Sequence, residues 1–422
     1  MKNLSILLTI CLLAISSCTK DSGTLTLQFT KATAVYGNID DVRSEALIEE
    51  AKSIQNPGKI FVGIDVLLIG EENEGIHVYD NSNPSFPQSV LFINLPFTKE
   101  FYVEDDIIYA ESHYDMVKIN IQDMNNPILD SRLEYALSSP LVNDQGQTLL
   151  GFHYEQVSES FDIGSQENEM LSSSDRLYYD YRENLIPPSA VPASFAGNGD
   201  GQAGSVNRIV KHGNYVYALS FSKIHTFEDS PSGLMSSNNT TSSFGTQMET
   251  IYPLDDKLFV GTRNSVQIYD ISSPQSPYYL SEFSHPTSCD PVLPYEDVAY
   301  TTLRTGDFSN CPGDVNSLLT LDISNPSSPI DLHEIEMESP YGMTIYNGFL
   351  YVGEGENGMK IFDISDRAEP LQVSFDQSVE AYDIIVHPTI EGLILTAGPS
   401  GIEQYTMNPS TFDLALISAI DY

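Results

Sequence analysis

The sequence lacks tryptophan and has few basic residues. Its 422 residues include 59 acidic and 19 basic ones, which gives a formal net charge of −40. Such a field repels nucleic acid backbones and anionic lipid headgroups, so nucleic acid is not expected as a partner. Without tryptophan, a carbohydrate site would have to stack sugars on the 24 tyrosines instead.

Motifs for common catalytic and cofactor chemistry are also missing. The sequence has no His-Glu-x-x-His, no Gly-x-Ser-x-Gly, no Gly-x-Gly-x-x-Gly after a strand and no phosphate-binding loop. His333-Glu334 begins like a metalloprotease motif, but Met337 stands where the second histidine is needed. We therefore predict no catalytic residue, no metal site and no cofactor, although activity is left open.

The N-terminus resembles a bacterial lipoprotein signal. A short apolar stretch, Leu4–Ile15, ends in Ile15-Ser16-Ser17-Cys18, which is similar to the lipobox. We expect residues 1–17 to be a signal peptide and Cys18 to bear the lipid that links the protein to the membrane. Thr19-Lys20-Asp21 resembles a Bacteroidetes surface-export signal, so we expect the protein on the cell surface of the outer membrane, with a periplasm-facing anchor as the alternative.

The remaining cysteines form one candidate pair. Cys11 leaves with the signal peptide, which leaves Cys289 and Cys311. In an oxidising compartment such a pair predicts a disulfide. Zinc would need two further ligands, and only His285 lies nearby in sequence.

A turn signal recurs along the chain: an apolar pair, a polar residue, and then a turn with proline. It is clear in VQIYDISSPQSP and LLTLDISNPSSP. A repeat of about 40 residues with short alternating strands is typical of a β-propeller blade. The polar residues that follow the apolar pair, which we call anchors, are Asp80, Asn120, Glu228, Asp270, Asp322, Asp363 and Thr406.

The anchor spacing predicts an all-β propeller of seven blades over residues 59–422. The one long interval, between Asn120 and Glu228, holds one blade plus an insertion at about 164–205, or two blades, which would make eight. Residues 18–58 form an N-terminal segment, with a strand predicted over Thr24–Tyr36 and a short helix over Asp41–Ile54.

The anchor is expected to have a structural role. An aspartate that ends the third strand can accept a hydrogen bond from the backbone two residues later, and proline fixes the following turn. The Asp-Ile-Ser-x-Pro-x-x-Pro pattern resembles the LVIVD repeat family of propeller-type bacterial surface proteins. This resemblance implies the fold and the location, and little chemistry.

The loops at one end of the propeller are the expected ligand site, because side chains from several blades converge there. We predict a non-enzymatic binding or protein-interaction module whose protein or small-molecule ligand is unknown. The alternative is an extracellular polysaccharide-directed hydrolase or lyase that uses carboxylates at the same end. The candidate ligand-binding residues are Glu249, Asp290, Tyr341, Glu380, Tyr382, Asp383, Arg263 and Arg304.

Cys18→Ala should abolish lipid attachment, because the acyl chains are expected on this side chain. In cells grown with radiolabelled palmitate, the wild-type protein should become labelled and the variant should not. The variant should also be absent from the membrane fraction. Equal labelling of the two proteins would refute the anchor.

Overall fold

The structure, a computed structural model, describes residues 24–162, 207–220, 222–242, 247–286, 291–305 and 315–422. Cys18, Cys289, Cys311, Asp290 and the predicted insertion at 164–205 lie outside these residues, so the lipid anchor and the disulfide stay predictions. The described residues belong to two compact units. Among them, no helix is long and apolar enough to cross a membrane.

The larger unit is a β-propeller of seven antiparallel blades, as predicted, and each blade has four strands in sequential order. The first four blades consist of β3 Pro57–Val62, β4 Val66–Glu71, β5 Gly75–Asp80 and β6 Gln88–Asn94; β7 Phe101–Glu104, β8 Ile107–Ser112, β9 Asp115–Asn120 and β10 Ile128–Leu133; β12 Ile209–His212, β13 Tyr215–Ser220, β14 Lys223–Ser230 and β15 Gly233–Ser242; and β16 Met248–Leu254, β17 Lys257–Thr262, β18 Ser265–Asp270 and β19 Tyr278–Ser284. The last three consist of β20 Val292–Tyr295, β21 Val298–Leu303, β22 Ser317–Asp322 and β23 Ile330–Glu336; β24 Met343–Tyr346, β25 Phe349–Gly353, β26 Met359–Asp363 and β27 Leu371–Asp376; and β28 Asp383–Val386, β29 Leu393–Gly398, β30 Gly401–Met407 and β31 Leu414–Asp421.

The anchors form the predicted turns. Asp80 Oδ1 accepts a hydrogen bond from the Ser82 amide at 2.9 Å. The same bond, from the amide two residues on, is made by Asn120, Asp270, Asp322 and Asp363 at 2.7–2.9 Å. The anchor is therefore structural in five of the seven blades.

The proline of the turn has a second role that sequence reasoning missed. Its carbonyl accepts a side-chain hydrogen bond from the preceding blade. Ser281 Oγ donates to Pro326 O at 2.5 Å, and Tyr217 OH donates to Pro274 O at 2.8 Å. The repeated turn thus also joins neighbouring blades.

Apolar side chains fill the space between blades. Seven hydrophobic clusters of buried residues are present in the described chain, and each joins two consecutive blades. The blades are sheets that are buried on both faces, which explains the long apolar runs in their middle strands. The hydrophobic core is therefore divided among the seven interfaces between blades.

The ring closes between the seventh and first blades without a shared strand among the described residues. Asn81 Nδ2 donates to Gln404 Oε1 at 3.2 Å, and Gln404 Nε2 donates to Asn81 Oδ1 at 2.9 Å. Both side chains are fully buried. Ser418 Oγ also donates to Pro84 O at 2.6 Å, so side chains hold the closure.

The smaller unit contains a two-stranded antiparallel sheet of β1 Thr24–Gly37 and β11 Thr148–Asp162. The strand predicted over Thr24–Tyr36 is therefore confirmed. Its partner comes from the long interval between anchors, where β11 belongs to no blade. The interval thus contains one blade. The chain leaves the propeller before the predicted insertion at 164–205, because the smaller unit resumes at Leu141.

The helix predicted over Asp41–Ile54 is wrong. Only α1 Ile39–Arg43 is helical, and β2 Ile48–Glu50 pairs with β6 as a fifth strand of the first blade. Backbone pairing with an existing sheet edge satisfied hydrogen bonds that a short isolated helix would have had to supply by itself.

Asn81→Ala should lower the free energy of unfolding by about 1–3 kcal/mol, because the amide of Gln404 would be left buried without its partner. Urea unfolding of Asn81→Ala, Gln404→Ala and the double variant measures this. The double variant should lose less than the sum of the two single losses. Strictly additive losses would contradict the role of the amide pair.

Candidate functional site

Polar side chains from several blades meet around the central channel. The Lys59 ammonium of the first blade donates a hydrogen bond to Asn207 Oδ1, just before the inner strand of the third blade. These blades are not adjacent in the ring, so the bond spans the channel. Lys59 also lies within electrostatic range of Glu100 at the start of the second blade and Asp383 of the seventh.

The channel groups are buried, and burial shifts their protonation. Burial lowers the pKa of Lys59 to about 8, although Glu100 and Asp383 oppose this. Burial raises the pKa of Glu100 to about 7, against the attraction of Lys59 and Arg208. The pKa of Asp383 is also raised well above its usual value by burial, while the Ile384 amide and Lys59 lower it.

Several of these buried groups lack a well-formed hydrogen bond. Among the described residues, both carboxylate oxygens of Asp383, Oε2 of Glu100 and Nδ2 of Asn207 have no partner with hydrogen-bond geometry. Burying such groups costs free energy. The channel is therefore a destabilising feature of a fold that apolar packing otherwise stabilises.

An ion pair lies towards the loop end of the channel. Arg263 Nε donates to Glu249 Oε1 at 3.2 Å, and both side chains are partly buried. Burial raises the pKa of Glu249, whereas the attraction of Arg263, Arg208 and Arg304 lowers it. Three arginines from three blades thus surround one carboxyl group.

Arg304 links this ion pair to two tyrosines. Its guanidinium carbon lies 4.2 Å from the ring centre of Tyr341, and the rings of Tyr341 and Tyr382 are 4.5 Å apart. Gly355 permits the packing, because its φ is +59° and a Cβ there would lie 2.7 Å from the Tyr341 ring. Burial, together with the nearby Tyr341, Glu356 and Glu380, raises the pKa of Tyr382 to about 12, although Arg304 opposes this.

The structure thus brings together most of the predicted site residues. We call this set the funnel: Glu249, Arg263, Arg304, Tyr341, Glu380 and Tyr382. Asp383 lies deeper, fully buried in the channel, and Asp290 lies outside the described residues. A role in ligand binding stays a prediction for each of them.

Sequence reasoning missed Lys59, Glu100, Asn207 and Arg208. Lys59 is the third residue of β3, whereas Glu100, Asn207 and Arg208 lie one or two residues before β7 and β12, and Asp383 is the first residue of β28. Counting back from the anchors would have found these positions, but not which side chains meet across the channel. In the part of the chain that the structure describes, no three His, Cys, Asp or Glu residues are grouped to hold a metal ion.

The fold and this end of the channel define a seven-bladed β-propeller with a polar, tyrosine-bearing funnel. Residues 311–334 and 342–375 match the family model of the LVIVD repeat. These stretches cover parts of the fifth and sixth blades, so the chain contains this repeat, as the turn pattern predicted.

Solved structures support the fold alone. A protein from Lactobacillus plantarum is 10% identical with a TM-score of 0.53, over 86% of this chain and 96% of that one. The WD40 β-propeller domain of Doa1 is 8% identical with a TM-score of 0.50, over 86% of this chain and 98% of that one. No curated protein sequence matches the chain.

Glu100→Gln should stabilise the protein at pH 8 and have little effect at pH 4. Because the folded-state pKa is raised from 4.5 to about 7, the folded protein binds a proton that the unfolded chain has released. The contribution of Glu100 to stability therefore falls as pH rises from 4.5 to 7. The difference between a pKa of 4.5 and about 7 limits the gain in the free energy of unfolding of Glu100→Gln to about 3 kcal/mol.

Urea unfolding at both pH values measures this effect, with Glu104→Gln, a carboxyl group four residues away on β7, as the control. A Glu100→Gln variant that is less stable than wild type at pH 8 would show that the carboxylate stabilises the channel instead.

Proposed function

We propose that this protein is a lipid-anchored propeller of the bacterial outer membrane that binds a protein or small-molecule ligand at its funnel, without catalysis. The convergence of guanidinium, carboxyl and tyrosine side chains from different blades at one end of the channel is the observation behind this proposal. Such an arrangement offers donors, acceptors and aromatic faces together, as binding sites do.

The cost of the buried channel groups also supports binding. Lys59, Glu100 and Asp383 lie in a buried environment with incomplete hydrogen bonding. Clustered buried groups with shifted pKa values are typical of functional sites. The Cys18 lipid would hold this surface at the envelope, in line with the lipobox resemblance.

The hydrolase or lyase alternative gains no support. Glycoside hydrolysis needs two carboxyl groups that face one bond of the sugar chain. Glu249 is paired with Arg263, and Asp383 is fully buried. Two other carboxylates at this end of the propeller accept hydrogen bonds from backbone amides. Glu71 accepts them from residues 55 and 56, and Glu354 from residues 338 and 339.

A photo-crosslinking amino acid at Glu356 tests binding at the funnel. Glu356 is exposed and lies near Tyr382, so a ligand in the funnel should react with p-benzoylphenylalanine at this position in living cells. Arg304→Ala or Tyr382→Ala in the same protein should reduce the yield of the crosslinked product severalfold.

In the matched control the crosslinker replaces Phe86, an exposed turn residue of the first blade at the end of the propeller opposite the funnel. Position 86 should give no product that depends on Arg304. If position 356 gives no product, or if Arg304→Ala leaves the product unchanged, the funnel is not the binding site.

A further inference from the structure

Two basic side chains at the loop end of the channel lack a bonded partner among the described residues. Most described lysines and arginines of the propeller form an ion pair with a carboxylate. Lys99 and Arg208 form no ion pair and no side-chain hydrogen bond within the described chain, although both are only partly exposed. Lys223 also lacks such a bond there, but it is exposed. Water therefore solvates Lys223, whereas burial removes part of the water from Lys99 and Arg208.

The two side chains belong to neighbouring blades and act on each other. Lys99 precedes β7 of the second blade, and Arg208 precedes β12 of the third. Burial lowers the pKa of Lys99, Glu111 opposes this, and the charge of Arg208 lowers it further. Arg208 also acts on Glu249, which belongs to the funnel. Two like charges held together in a partly buried place are unfavourable, and a bound anion would stabilise both.

The carboxyl groups around Arg208 have other partners. Glu249 accepts a hydrogen bond from Arg263 at 3.2 Å. Burial raises the pKa values of Glu100 and Glu111, whereas hydrogen bonds from backbone amides lower them. These carboxyl groups act on Arg208 through space, but no described carboxylate forms an ion pair with it. The hydrogen-bond donors of its guanidinium group are therefore available to a ligand.

An anion bound here would meet carboxyl groups as well as cations. Glu100, Glu111 and Glu249 all lie within electrostatic range of Arg208. The whole chain has a formal net charge of −40. A ligand with several negative charges would therefore be repelled, and a single carboxylate fits best. Hydroxyl groups both donate and accept, so a hydroxylated ligand can bond these carboxyl groups and the arginines of the funnel.

We propose that Lys99 and Arg208 bind the carboxylate of a small hydroxylated ligand, such as a sugar acid. The planar guanidinium group can donate two parallel hydrogen bonds to a carboxylate, and the ammonium group adds a second charge. This inference rests on the proposed function, because it names the ligand class of the same end of the channel. An acidic peptide is the competing ligand, and its extra carboxylates would face Glu100, Glu111 and Glu249.

D-glucuronate is a suitable probe, with D-glucose as its uncharged match. The two sugars share the ring, and only glucuronate has a carboxylate. Isothermal titration calorimetry of the full-length protein at pH 7 and low salt should show saturable glucuronate binding below about 10 mM. Glucose should bind at least about tenfold more weakly, because it offers no charge to the two cations.

Variants of the two cations locate the carboxylate. Lys99→Gln and Arg208→Gln should each weaken glucuronate binding at least about tenfold, because each removes a charge-assisted hydrogen bond. Lys99→Arg keeps the charge and should stay within about threefold of the wild type. Lys223→Gln removes the same charge from an exposed lysine and should change the affinity less than about twofold. Thermal unfolding of each variant checks that its blades remain folded.

Four results would overturn the proposal. Equal binding of glucose would mean that the carboxylate is not recognised. Equal losses in Lys223→Gln and Arg208→Gln would mean that glucuronate responds to the charge of the whole protein. Tighter binding of tetraglutamate than of glucuronate would identify an acidic peptide as the ligand. No saturable binding by about 50 mM glucuronate would mean that these cations bind no sugar acid.

The crosslinker at position 356 separates this inference from the function of the funnel. Loss of the crosslinked product in Lys99→Gln and Arg208→Gln would support both. A product that depends on Arg304 but persists in these two variants would leave the funnel as a binding site and refute the carboxylate site alone.

Discussion

The packing of blade against blade is the constraint on which this structure depends. No blade buries its apolar faces by itself, so each needs both neighbours, and the ring must close for the seventh interface to form. Closure uses buried side chains instead of a shared strand. The paired amides of Asn81 and Gln404 specify one alignment of the first and last blades, because buried amides in any other alignment would lose their hydrogen bonds.

The central channel works against this stability. The inner strands bring Lys59, Glu100, Asn207 and Asp383 into a buried space where hydrogen bonding is incomplete. An apolar channel would cost less. Polar groups in such a place are consistent with a protein whose loop end above the channel is used for binding, and the funnel lies at that end.

Charge is distributed unevenly. The chain has 19 basic residues against 59 acidic ones, yet Lys59, Lys99, Arg208, Arg263 and Arg304 lie in or around the channel. These five basic side chains supply counter-charges to the buried carboxyl groups there.

The repeat alone was enough to predict seven blades and the role of the anchor, because an aspartate, a serine and a proline act within a few residues of the chain. The funnel residues were also predicted in part, since their loops are fixed by the order of strands. Three features depended on the tertiary structure. The segment around Ile48 pairs with a strand some 40 residues away instead of forming a helix. Strand β11 pairs with β1 outside the propeller. Lys59 meets Asn207 across the channel, 148 residues further along the chain. Local sequence determines turns and strand alternation, whereas a contact between distant residues exists only once the blades have assembled into a ring.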